Sequence, residues 1–87
     1  MSYNYSTQRK NIFTEDGQVM FLKIRDAANG LIDQAGAVRS GELMSSVTGD
    51  TWDMLACMDR LIELGELVEI PNIISSMGQH RIFIKPL

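Results

Sequence analysis

Between residues 18 and 34 the apolar positions Met20, Phe21, Ile24, Ala27, Ala28, Leu31 and Ile32 recur at a spacing that places them on one side of a helix. This predicts a first helix over 18–34. Val19 and Leu22 fall off that stripe, near Asp26 and Asp33, so the helix has apolar residues on a second face that either the N-terminal segment or a second copy of the chain would cover. Past Gly36, Ala37 and Val38 suit a brief extended segment, and Ser40 is placed to cap a short helix of about two turns carrying Leu43, Met44 and Val47. The break "TGD" follows: Gly49 can take the positive φ of a turn, and Asp50 or Thr51 can cap the next helix. That helix, over 51–64, lines up Met54, Leu55, Met58, Leu61 and Ile62 and stops at Gly65. "LVEI" and "RIFIK" then read as short strands, separated by "PNIISSMGQH" with its Pro71, Asn72 and Gly78, and predict an antiparallel hairpin with a long loop. The opening "MSYNYSTQRKN" is polar and without period. Residues 1–13 are therefore read as a flexible N-terminal arm, with Tyr3, Tyr5, Ile12 and Phe13 available to fold back onto a domain of residues 14–87.

Helix, extended segment, helix, turn, helix, strand, loop, strand is the order of a winged helix-turn-helix domain. The stretch "DRLIELGELVEI" followed by "GQHRIFIK" resembles the pattern of that superfamily, in which a helix with spaced leucines ends in glycine and leads into a wing. It is also similar to the phrasing of small uncharacterised bacterial winged-helix proteins, a likeness that brings no activity with it. The resemblance covers about residues 17–86 and implies an α+β fold of three helices followed by a two-stranded antiparallel β-hairpin wing. It further implies DNA binding and transcription regulation, because the second helix of a helix-turn-helix enters the major groove.

Length and composition limit the options. At 87 residues the chain has room for one small core, and 45% hydrophobic with 22% charged residues is ordinary globular composition. The single Cys57 has no partner for an intramolecular disulfide and no His cluster for a zinc site, which favours a reducing cytoplasm. No run approaches the ~20 apolar residues of a membrane-spanning helix. A soluble, cytoplasmic protein is expected.

Charge argues against the DNA reading at the place where it matters. On the last helix the face opposite the apolar stripe carries Trp52, Asp53, Ala56, Asp59, Arg60 and Glu63, and across residues 40–70 there are seven acids against one base. DNA binders place roughly 6–10 contacts on phosphates, whereas this chain has eight Lys and Arg in all, spread from Arg9 to Lys85. The favoured reading is a non-catalytic module that binds protein through the acidic helix face and the wing, with Trp52, Asp53, Asp59, Glu63, Ile74 and Met77 as candidate contacts. For Ile74, Met77 and Trp52 the plainer role is to complete a small core. The alternative is a DNA-binding regulator, acting as a dimer through Arg9, Lys10, Arg60, His80, Arg81 and Lys85, since residues 71–87 contain no acid.

Catalysis finds little footing. His80 is the one histidine and sits in a loop, Cys57 has no basic neighbour to stabilise its thiolate, and the pairs Asp50 with Asp53 and Asp59 with Glu63 read as a solvated helix edge. No phosphate-cradling glycine loop and no Cys or His cluster with ligand spacing occurs. No enzyme activity, cofactor or metal is expected. The six methionines sit mainly on helix stripes, where adaptable core filling is their ordinary role.

Overall fold

The first helix predicted from the apolar stripe is the longest element of the protein. The computed structural model describes residues 2–71 and 81–87, and in it α2 runs Glu15–Ala35 and buries Phe21, Ile24, Ala28 and Ile32. The residues ahead of the stripe extend it, because Thr14 caps the helix by accepting from the Gly17 N–H at 2.9 Å while Glu15 and Asp16 complement the helix dipole in the first turn. Gly36, with φ 85°, closes the other end.

Among the described residues the protein is α+β: four α-helices, one 3-10 helix and one antiparallel three-stranded sheet. In chain order these are α1 (Tyr5–Gln8), the 3-10 helix Arg9–Phe13, α2, β1 (Val38–Arg39), α3 (Ser40–Ser46), α4 (Thr51–Glu63), β2 (Val68–Ile70) and β3 (Ile82–Ile84). The expected two-stranded hairpin is thus one strand short. β3 lies between β2 and β1, and the extended segment around Val38 supplies the third strand, with Val38 opposite Phe83 and Arg39 opposite Ile82. Burial drives the pairing: Val38 and Phe83 are both buried and share the sheet's inner face, which packs on the helices.

The short helix α3 begins one residue away from the expected cap. Arg39 holds the cap position, and its N–H donates to the Glu42 carboxylate at 3.2 Å. Ser40, fully buried, joins the helix to the sheet: its N–H donates to the Arg81 carbonyl at 2.8 Å and its Oγ accepts from the Arg81 N–H at 3.2 Å. Asp50 does cap α4, accepting from Trp52 and Asp53 N–H at 2.9 and 3.1 Å. Helix α4 ends as Gly65 promises. With φ 78° that residue sends its N–H to the Ile62 carbonyl at 3.0 Å while the Glu66 N–H reaches Leu61 at 2.9 Å, and the chain turns to bury Leu67 and enter β2.

The N-terminal segment folds back through Tyr3, Tyr5 and Ile12, as those residues allow, and is more regular than expected. In place of an arm without regular structure, α1 and the 3-10 helix lie along α4, with Ile12 buried in the common core and Tyr3 and Tyr5 packed against it. The arm leaves Val19 and Leu22 exposed, so it does not cover the second face of α2. No helix among the described residues is long and apolar enough to cross a membrane.

Candidate functional site

Helix α4 was expected to bury one stripe and present an acidic face. Its stripe residues Met54, Leu55, Met58 and Leu61 are buried as expected, but so are Ala56, at 0% exposure, and Cys57, at 1%. Cys57 shares a cleft wall with Asn11 and Ile12 of the arm. What remains at the edges of α4 is a row of carboxylates that are already engaged, each by donors from elsewhere in the chain.

Three clusters carry that arrangement. At the first turn of α4, Asp53 accepts from Asn11 Nδ2 at 3.1 Å. In the middle, Asp59 accepts from the Tyr3 hydroxyl at 2.6 Å and from Arg81, whose Nη2 lies 2.5 Å from Oδ1 and whose Nη1 lies 3.3 Å from Oδ2. The same guanidinium reaches Glu69 on β2 at 2.9 and 3.1 Å and stands 5.2 Å over the Phe83 ring. At the end, Glu63 accepts from Arg60 at 2.7 Å, from the Tyr5 hydroxyl at 2.8 Å and from Arg9 at 3.1 Å, and both guanidinium groups lie over Phe13, at 5.0 and 5.2 Å.

Titration behaviour follows from these contacts. Burial, then the bond to Asp59, pushes the Tyr3 phenol well above its ordinary value, and burial and Glu63 do the same more gently for Tyr5. Glu63 is held below the carboxylate range, first by Arg60, then by Tyr5 and Arg9. Burial pulls Arg81 down, but its bonds to Glu69 and Asp59 outweigh that and fix it as a permanent cation. The Cys57 thiol is pushed up to about 12 by burial and by Asp53, so it stays protonated and unreactive at neutral pH.

The candidate protein contacts Trp52, Asp53, Asp59 and Glu63 therefore belong to the docking of the arm and sheet onto α4, Trp52 as a half-buried residue against the core. Of the candidate DNA contacts, Arg9, Arg60 and Arg81 are bound to carboxylates, and Lys85 donates to the Asn29 side-chain oxygen. Lys10 is exposed. Ile74, Met77 and His80 lie outside the described residues. Sequence reasoning missed Tyr3, Tyr5, Asn11 and Glu69 as partners of these groups. One signal was present: residues 1–14 carry Arg9 and Lys10 and no acid, the complement of the acid excess over 40–70.

A cleft of about 390 Å³ opens between the 3-10 helix, the start of α2 and α4, with Asn11, Thr14, Asp16, Asp53 and Cys57 in its wall. Its thiol is the unreactive Cys57. Among the described residues no three His, Cys, Asp or Glu side chains converge as metal ligands would. Exposed apolar residues gather instead where α4 leads into the sheet: Leu64, Val68 and Ile70, at 46%, 42% and 37% exposure. Val68 pairs with Ile84 and Ile70 with Ile82 across β2 and β3, so four aliphatic side chains share the sheet face opposite Phe83. Comparison with protein-family models, with curated proteins and with solved structures gives no match.

Proposed function

We propose that the chain is a non-catalytic winged-helix module that binds a protein partner. On this reading α3, the turn over residues 47–50 and α4 are the helix-turn-helix, and β2 and β3 are the stem of the wing. The observation that carries it is the exposure of Leu64, Val68 and Ile70 where α4 leads into the sheet. Exposed apolar side chains grouped at one place are what a partner surface can desolvate.

The pairing of Arg9, Arg60 and Arg81 with carboxylates weighs against the DNA-binding reading. Guanidinium groups that contact phosphate would first have to leave Glu63, Asp59 and Glu69, and those carboxylates would then repel the backbone they face. Immobilised protein incubated with extract of its native cell tests the proposal. The wild-type chain should retain a discrete protein partner, and Val68→Lys with Ile70→Lys should lower retention about tenfold or more while the unfolding midpoint holds. Equal retention by both chains would refute the assignment of this surface.

A further inference from the structure

The arm divides into two parts with different holds on the molecule. Ile12, in the 3-10 helix, is 2% exposed and belongs to the core, whereas α1 contains no buried residue. Residues 2–9 are attached to α4 by hydrogen bonds in which the arm always donates and the helix always accepts: Tyr3 to Asp59, Tyr5 to Glu63, Arg9 to Glu63. Each of the two carboxylates keeps a second cationic partner that is not part of the arm. Asp59 retains Arg81, and Glu63 retains Arg60. Lifting residues 2–9 would therefore uncover the outer face of α4, taking Tyr3 and Tyr5 off the edge of the core but leaving Ile12 seated in it and stranding no unpaired charge on the helix.

We infer that residues 2–9 are a releasable strap over the outer face of α4, hinged at the Ile12 anchor, and that the strap yields this face to a partner segment presenting the same phenol and guanidinium donors. The partner half of this inference rests on the binding reading above; the release of the strap does not. The strap supplies a template of the ligand: two tyrosines two residues apart, and an arginine one helical turn beyond, matched to carboxylates at positions 59 and 63 of one helix. A basic, tyrosine-bearing segment would satisfy the same acceptors and is the chemical class expected to compete.

Native-state amide hydrogen exchange on the full chain tests the release. Amides of residues 5–9 should exchange at least about a hundredfold faster than those of residues 54–58, by an opening that leaves the core intact. Tyr3→Phe with Tyr5→Phe, which removes only the two hydroxyl donors, should speed the arm amides by about tenfold or more and leave the α4 amides unchanged. Exchange of the arm in step with α4 would overturn the strap and make residues 2–9 part of the cooperative fold. Partner capture then separates the two claims. Several-fold higher capture by the Tyr3→Phe/Tyr5→Phe chain supports competition by the strap; unchanged capture, with the arm opening on its own, overturns the competition and leaves the binding reading standing. Capture by neither chain, with the arm opening on its own, upholds the releasable strap and removes the binding reading.

Discussion

Gly17 decides whether the N-terminal arm can fold back at all. It lies in the first turn of α2, and a Cβ there would overlap the backbone carbonyl of Asn11 and come within 2.7 Å of that of Ile12. The same junction is stitched by the Thr14 hydroxyl donating to the Asn11 carbonyl at 3.0 Å and by Gln18 Nε2 donating to the Ile12 carbonyl at 2.6 Å. A helix interior ordinarily gains about 1 kcal/mol when Gly becomes Ala. Here the new methyl group would push on backbone rather than on a pliable side chain, so the strain should win. Gly17→Ala is expected to lower stability by about 2 kcal/mol, read as a reduced urea midpoint; an equal or higher midpoint would mean the arm is not seated as described.

At the scale of the element, α4 is held from both sides, by the core along its stripe and by the arm across its carboxylates. Glu63 ties Tyr5, Arg9 and Arg60 together at the end of the helix, and its carboxyl titrates below the ordinary range. A lowered value in the folded state means that this contribution to stability is complete above the ordinary Glu value of about 4.3 and is lost as pH falls through the lowered one. Stability should therefore drop on acidification below about pH 4, and Glu63→Gln should flatten that part of the curve; the same acid limb in wild type and variant would take Glu63 out of the account.

The elements were legible to the extent that each is written in local spacing. The α2 stripe, the Asp50 cap and the Gly65 stop all depend on neighbours a few residues apart, and β2 and β3 each show in their own short apolar run. The arm's helical turns and its partners were not legible, because Tyr3, Tyr5 and Arg9 are fixed by residues more than fifty positions away, and polar side chains held by distant carboxylates leave no period. The acidic face of α4 misled for the same reason. A row of acids reads as solvated until its donors are known. Ser40 likewise carries a capping residue's signature, yet its hydroxyl is spent on the sheet at Arg81.

For the whole molecule the question is what its charge is for. The chain carries a formal net charge of −3, and Arg9, Arg25, Arg60 and Arg81 all sit in ion pairs within the fold. Surface pairs add little stability singly, but together they engage four of the chain's five guanidinium groups, while Arg39, Lys10 and Lys23 are exposed. With those four guanidinium groups held by carboxylates, the exposed aliphatic residues Leu64, Val68 and Ile70 are the basis for proposing a protein rather than a nucleic acid as ligand. Titrating the purified protein into mixed-sequence duplex DNA at low salt, where attraction to phosphate is strongest, tests that assignment most directly. The account predicts no saturable binding; tight binding that weakens steeply with salt, with a slope reduced by about one in Arg81→Gln, would contradict it.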